Sequence, residues 1–168
     1  FKDREGTVNE EGVTFYQAVI DEFLSQGIEP VICLHHFDMP MYWMEKGGFE
    51  NRETAEGFAA FAAKCFELFG GKVKRWITFN EPIVIAEGGY IYKRHYPAVC
   101  DSKKAALVGY HIQLASSMAV REFRKSGREG SIGIVLNLTP TYCKEPDNEE
   151  DRRSAEIADL LFNKSFLD

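Results

Sequence analysis

Apolar residues recur along the chain at two different spacings, and the two spacings alternate. Helical spacing predicts four helices, at residues 10–26, 51–69, 102–127 and 149–166. Between them lie short, largely apolar runs at residues 30–34, 75–80 and 131–136, as expected for parallel strands covered on both faces. This alternation predicts a parallel sheet with right-handed crossovers. Residues 41–49 and 83–100 are predicted to be loops, and the second is long enough to suggest a functional role.

The three predicted strands all end in polar residues that are soon followed by proline. The polar residues are His35, His36 and Asp38 before Pro40; Asn80 and Glu81 before Pro82; and Asn137 and Thr139 before Pro140. Polar side chains that converge at the carboxyl ends of parallel strands are typical of the mouth of a (β/α)8 TIM barrel. A doubly wound open sheet is the alternative. It usually carries a glycine-rich phosphate loop, and the sequence contains neither GxGxxG nor GxxxxGK.

Three strands cannot close a TIM barrel, which needs eight strands and roughly 250 residues. A three-stranded parallel sheet would also leave two apolar edges without partners. We therefore interpret residues 1–168 as an internal part of a (β/α)8 domain, with no second domain. The remaining strands are expected to be supplied elsewhere.

Composition and charge narrow the classes of partner. The 168 residues are 45% hydrophobic and 27% charged, as in ordinary soluble proteins, and no apolar run approaches the roughly 20 residues of a membrane helix. The net charge of −6 argues against nucleic acid and anionic membranes as partners. The four cysteines are far apart in sequence, so a zinc site is not expected, and their pattern favours a reducing compartment such as the cytoplasm. We expect no cofactor.

Glu81 is the residue whose position suggests chemistry most directly. Pro82 cannot continue a central strand, so Asn80 and Glu81 come at the carboxyl end of the strand. A carboxyl group at such a mouth can act as a general acid when aromatic neighbours partly desolvate it. The alternative is that Glu81 merely caps the following helix, and these residues alone do not decide between the two.

Four segments of the chain, taken together, resemble glycoside hydrolase family 1. They are LHHFDMP at residues 34–40, GGFEN at 47–51, WITFNEP at 76–82 and IVLNLTP at 134–140. The resemblance covers the whole chain, from the helix after barrel strand 2 to the helix after strand 5. It implies a TIM-barrel catalytic domain that hydrolyses β-glycosides of small sugars.

The resemblance implies roles for four residues. Glu81 matches the acid/base carboxyl group, Asn80 the amide that holds the sugar 2-hydroxyl, and His36 a histidine that bonds another hydroxyl. Phe37 stands where many members have tryptophan, so the aromatic wall is kept and an indole N–H is lost. His35 is expected to point to the opposite face and to be structural.

Other polar and aromatic residues near the strand ends are weaker candidates. At the third strand mouth we favour a structural role for Asn137 over a ligand contact. Tyr42 and Trp43 either line an aglycone entrance or pack under their loop, and the sequence leaves both interpretations open.

The segments at residues 80–84, 87–90 and 95–97 are most similar to bacterial 6-phospho-β-glucosidases. A retaining mechanism also needs a nucleophile, which the family carries in a Glu-Asn-Gly motif, and this tripeptide does not occur here. We therefore expect the 168 residues alone to be inactive. A plain β-glucosidase or β-galactosidase, or a non-catalytic (β/α) remnant, is the alternative. The oligomeric state is left open.

Overall fold

A computed structural model of the protein describes residues 6–166. The three strands and four long helices alternate as predicted, but residues 41–49 and 83–100, predicted to be loops, each contain an additional short helix. Helices α1 to α6 are Glu10–Ser25, Met41–Met44, Arg52–Phe69, Pro82–Tyr90, Ser102–Lys125 and Glu149–Phe162. Strands β1 to β3 are Val31–His35, Arg75–Asn80 and Ser131–Val135. Two 3-10 turns, Gly48–Glu50 and Lys164–Phe166, complete the regular structure of the described residues.

The three strands form one parallel sheet in the order β1-β2-β3, which confirms the predicted parallel arrangement. His35 pairs with Phe79 across β1 and β2, and Asn80 pairs with Val135 across β2 and β3. The β2–β3 register is irregular between Ile77 and Asn80. Because the strands are parallel, their carboxyl ends lie at the same edge of the sheet.

Helices α3 and α5 pack on β2 and form the core with it. The ring of Phe66 on α3 meets the ring of Trp76 on β2 edge to face, with centroids 4.9 Å apart. Phe66 also meets Phe123 of α5 at 5.2 Å. Both contacts have the edge-to-face geometry that aromatic pairs prefer, and they attach the two helices to the central strand.

Side-chain caps start the long helices. Asn9, Asn51 and Asp101 each accept a hydrogen bond from a backbone N–H of the first helical turn. Asn148 does the same for α6. These bonds satisfy backbone donors that have no partner within the helix, which is why the helices begin where they do.

The predicted loop at residues 83–100 is wrong in its first half, because α4 occupies Pro82–Tyr90. Proline is well suited to the first turn of a helix, and four apolar residues follow it. Gly88 and Gly89 would ordinarily weaken a helix. Here they are buried, and the following loop packs directly against them.

The outermost helices bury less apolar surface than predicted. On α1 only Ile20 is buried, while Tyr16, Phe23 and Leu24 are exposed although helical spacing predicted an inward face. On α6, Leu161 is 55% exposed. The sheet in the described residues ends at β1 and β3, so no further strand is available to cover these apolar side chains. None of the helices among the described residues is long and apolar enough to cross a membrane.

A substitution of Thr78 on β2 tests the packing of α5 on the sheet. Its side chain is fully buried, and its hydroxyl lies 2.8 Å from Ser116 Oγ and donates to the Gly133 carbonyl at 3.1 Å. Thr78→Val keeps the shape and removes these bonds, so the free energy of unfolding should fall by about 1–3 kcal/mol, measured by urea unfolding.

Thr14→Val on the exposed surface of α1 is the matched control and should change the free energy of unfolding by no more than about 0.5 kcal/mol. Equal effects of the two substitutions would contradict the importance of the Thr78 bonds.

Candidate active site

Glu81 lies immediately after β2 in an unusual backbone conformation. Its φ is 46° and its ψ is 61°, which is the left-handed region that non-glycine residues rarely adopt. Its backbone N–H donates to the Val135 carbonyl at 2.8 Å, which extends the contact between β2 and β3 by one residue. Left-handed backbone at a bulky residue costs on the order of 1 kcal/mol and is concentrated at functional sites.

The Glu81 side chain does not cap α4, although Glu81 occupies the N-cap position. The capping interpretation is therefore wrong. The carboxyl group is half-buried, and its Oε2 accepts a hydrogen bond from Asn137 Nδ2 at 3.4 Å. Because Asn137 follows β3, this contact joins the ends of two neighbouring strands. Asn137 thus has a partner within the protein.

His35 and His36 lie in opposite environments at the end of β1, as predicted. His36 is exposed, whereas His35 is only 7% exposed and its ring is surrounded by aromatic rings. The centroids of Phe79, Phe49 and Phe58 are 5.0, 5.6 and 6.4 Å from the His35 centroid. Because His35 pairs with Phe79, His36 and Asn80 are the next residues of their two chain segments, at the same edge of the sheet.

The His35 imidazole is neutral at pH 7. Burial lowers its pKa from 6.5 to about 4, the charge of His36 acts in the same direction, and Asp38 opposes the shift. An unfolded chain therefore binds a proton at this residue at a higher pH than the folded protein does. This difference makes the folded state lose stability as the pH falls from 6.5 towards 4.

Phe37 forms an aromatic surface with its neighbours at the end of β1. Its φ is 70°, a second left-handed non-glycine residue at a strand end. Its ring centroid is 5.0 Å from that of His36 and 5.7 Å from that of His95. A cavity of about 300 Å³ lies beside Phe37 and His95 and also includes Met39, Met41 and Tyr96 in its wall.

The loop after α4 reaches this surface because two glycines admit it. A Cβ atom on Gly88 would lie 2.4 Å from Cδ2 of His95, and one on Gly89 would lie 3.0 Å from the Tyr96 carbonyl oxygen. The His95 N–H donates to the Gly88 carbonyl at 3.0 Å. The contact between His95 and Phe37 could not be derived from hydrophobic spacing, since it depends on the close approach of the loop to α4.

Trp43 packs on α3. A Cβ atom on Gly57 would lie 2.2 Å from the Trp43 ring, so the indole rests directly on the helix backbone. Tyr42 and Trp43 both belong to a larger cavity of about 590 Å³ beside α3. The structure thus supports the packing interpretation for Trp43.

A second carboxyl group, Glu87 on α4, was not singled out from the sequence. Burial raises the pKa of Glu87, and the nearby Arg94 opposes the shift. Among residues 6–166 there is no group of three or more histidine, cysteine, aspartate or glutamate side chains that could hold a metal ion. The carboxyl, amide and imidazole groups at the strand ends are suited by their own chemistry to proton transfer and to hydrogen bonding with hydroxyls.

Parallel strands whose carboxyl ends carry polar side chains are the arrangement expected for part of a TIM barrel. The chain belongs to glycosyl hydrolase family 1, whose profile matches residues 2–168. It is 49% identical over 163 residues to the 6-phospho-beta-glucosidase GmuD of Bacillus subtilis, and 41% identical over 145 residues to Beta-glucosidase A of Thermotoga maritima. These matches cover 97% and 84% of this chain.

Solved structures agree with this assignment. The beta-glucosidase from Thermotoga maritima in complex with deoxynojirimycin superposes with a TM-score of 0.90 at 38% identity over 94% of this chain. The AHE enzyme from Alicyclobacillus herbarius gives a TM-score of 0.93 at 32% identity over 98% of this chain. The chain spans 35% of GmuD and 32% of Beta-glucosidase A, and 35% and 37% of the two solved chains. It is thus part of a TIM barrel.

A substitution of Gly88 tests how closely the loop that carries His95 approaches α4. Gly88→Ala should push the His95 ring away from Phe37 and lower the free energy of unfolding by about 1–3 kcal/mol, measured by urea unfolding.

Gly109→Ala in α5 is the matched control, because a Cβ atom there would meet nothing within 4 Å. Since alanine favours helix, this control should raise the free energy of unfolding by up to about 1 kcal/mol. A Gly88→Ala protein as stable as the control would show that the contact seen here is not tight.

Proposed function

We propose that this chain forms one wall of the active site of a retaining β-glycosidase that hydrolyses β-glucosides, with 6-phospho-β-glucosides as the preferred substrates. The observation that carries the proposal is the placement of Glu81. Its carboxyl group stands at the carboxyl end of a central strand, half-buried and unused as a helix cap. The family to which the chain belongs supports the reaction class.

In this proposal Glu81 is the acid/base group. It donates a proton to the glycosidic oxygen as the bond breaks and later accepts a proton from the water that releases the sugar. Asn137 Nδ2, 3.4 Å from Glu81 Oε2, orients the carboxyl group. The left-handed backbone of Glu81 lets the chain turn into α4 while the side chain remains at the sheet edge.

The proposed sugar contacts come from the neighbouring residues at that edge. Asn80 supplies an amide for the 2-hydroxyl group, and His36 bonds another hydroxyl. Their support is the register of β1 and β2, together with the exposure of His36. Phe37 provides an apolar wall for the sugar ring, in contact with His95.

The nucleophile of this reaction lies outside residues 1–168. A retaining mechanism needs a second carboxyl group about 5 Å from the first. Glu10 and Glu149 follow asparagines, but both are exposed in the first turns of helices. A carboxylate at that position interacts favourably with the helix dipole, which explains it without a catalytic role. We therefore expect a polypeptide of residues 1–168 alone to show no hydrolysis.

Glu81→Gln tests the central role. In the native gene product that carries these residues, the substitution should lower kcat/KM by about 10²–10⁴-fold for glycosides whose leaving group must be protonated. The loss should be smaller for 2,4-dinitrophenyl glycosides, because that leaving group departs without a proton. Steady-state kinetics on both substrate types measures the difference.

Glu87→Gln is the matched control, since it removes a partly buried carboxyl group six residues further along the chain. Its activity should stay within about threefold of the unsubstituted protein. Equal activity of Glu81→Gln and the unsubstituted protein would exclude the role of Glu81. A native product of only 19.1 kDa without hydrolysis would instead support the non-catalytic alternative.

The preference for a phosphorylated sugar has its own test. The 49% identity to GmuD favours the 6-phosphate, whereas the 41% identity to Beta-glucosidase A favours a plain β-glucosidase as the second candidate. We expect kcat/KM for nitrophenyl β-glucoside 6-phosphate to exceed that for the plain glucoside by at least about 10²-fold, because a bound phosphate forms charge-assisted hydrogen bonds. A higher kcat/KM for the plain glucoside would favour the second candidate.

The cytoplasm is the location that fits this proposal, since phosphorylated disaccharides arise where a sugar phosphotransferase system delivers them. The proposed partner is a small sugar, and no cofactor takes part in the proposed reaction.

A further inference from the structure

We propose that His35 is a positioning residue, whose Nδ1 holds the Phe37 backbone in its left-handed turn and thereby aims His36 and Phe37 into the sugar site. This inference rests on the proposed function, because only that function makes the edge at His36 and Phe37 a sugar site. The contact itself does not depend on that function. His35 would touch no substrate.

The turn after β1 is the feature that needs an explanation. Phe37 has a φ of 70°, in the region that an aromatic residue enters only when its surroundings hold it there. Its backbone N–H donates to His35 Nδ1 at 3.3 Å, across only two residues. This bond closes a small ring around His36, so the orientations of His36 and Phe37 are coupled to the imidazole.

The imidazole is itself held firmly. Its ring lies among Phe49, Phe58 and Phe79, which come from the 3-10 turn, α3 and β2. The turn that carries Phe49 is fastened at two carbonyls. Thr54 Oγ1 donates to the Gly48 carbonyl at 2.6 Å, and His111 Nδ1 lies 2.8 Å from the Phe49 carbonyl oxygen. A rigid ring can fix a turn, whereas a mobile ring cannot.

The tautomer of His35 shows that its two ring nitrogens differ, one as an acceptor and the other as a donor. Since Nδ1 accepts a hydrogen bond in a neutral ring, Nε2 carries the hydrogen. Nε2 is buried and has no hydrogen-bond partner among residues 6–166. A residue needed only for packing would be better as phenylalanine, which has no donor to leave unpaired. His35 therefore combines an unpaired N–H, which lowers stability, with an acceptor at Nδ1 that bonds the Phe37 N–H.

Loss of this acceptor should affect substrate binding more than proton transfer. Without it the Phe37 N–H is unpaired, and the backbone can relax towards negative φ. That relaxation would turn both His36 and Phe37 away from their present directions. Glu81 belongs to another strand and is held by Val135 and Asn137, so it should stay in place.

Two variants of the native gene product separate the acceptor from the ring. His35→Phe keeps an aromatic ring and removes the acceptor, whereas His35→Asn removes the ring and keeps an oxygen near the position of Nδ1. For the nitrophenyl β-glucoside, or its 6-phosphate if that is the better substrate, His35→Phe should raise KM roughly tenfold and change kcat less than about threefold. His35→Asn should recover most of the loss in KM despite the poorer packing.

Stability should follow the opposite order, with His35→Phe more stable than His35→Asn in urea unfolding. If KM follows stability instead, or if His35→Phe has an unchanged KM, His35 is only a packing residue and the proposal is wrong.

Nuclear magnetic resonance of the unsubstituted protein provides a readout that needs no activity and no variant. Histidine labelled with ¹⁵N should show His35 with Nε2 protonated and Nδ1 unprotonated at pH 7, and the coupling between the amide and α protons of Phe37 should report positive φ. A protonated Nδ1 or a negative φ would overturn the positioning role. Absence of hydrolysis in the unsubstituted protein would overturn the proposed function instead, and the two failures are therefore distinguishable.

Discussion

The hydrogen bond from the Glu81 N–H to the Val135 carbonyl is the contact on which the proposed site depends. It continues the β2–β3 pairing one residue past the end of β2, to a residue that already has a left-handed backbone. Pro82 has no N–H and begins α4 directly afterwards. The carboxyl group is thereby confined to the sheet edge, where the end of β3 supplies Asn137. Displacement of this backbone bond would free Glu81 to cap the helix, which would remove it from the edge.

Behind this edge, aromatic packing gives the strand ends their rigidity. The ring of Phe79 is fully buried and contacts His35, Phe49 and Phe58. It joins β2 to the turn before α3 and to α3 itself. The site thus has a polar front, in which groups are half-buried or exposed, and an apolar back that excludes water.

The sequence was informative where local chemistry decides structure. Alternating spacings predicted the three strands and the four long helices, because apolar side chains recur with the period of the element that they belong to. The polar residues before each proline were expected at the carboxyl ends of the strands, because proline cannot continue a central strand. Local chemistry did not predict α4, because tertiary packing against Gly88 and Gly89 outweighs their poor helix propensity.

The positive φ values of Phe37 and Glu81 also have no signature in the sequence, since neither residue type favours that region. They arise from the bonds to His35 Nδ1 and the Val135 carbonyl. The exposed apolar side chains of α1 and α6 were predicted to be buried because spacing identifies an apolar face without showing what covers it. Periodicity indicates the type of element and not the family, so the family assignment depended on four motifs taken together.

The most direct test of the whole account is a crystal structure of the native gene product with a sugar-shaped inhibitor such as deoxynojirimycin. We expect the inhibitor at the carboxyl ends of the strands, with His36 and Asn80 within about 3.2 Å of its hydroxyl groups and the Glu81 carboxyl group beside the ring, at the position of the bond that is cleaved. An inhibitor bound at another surface, or one bound at this edge without contact to Glu81, would contradict it.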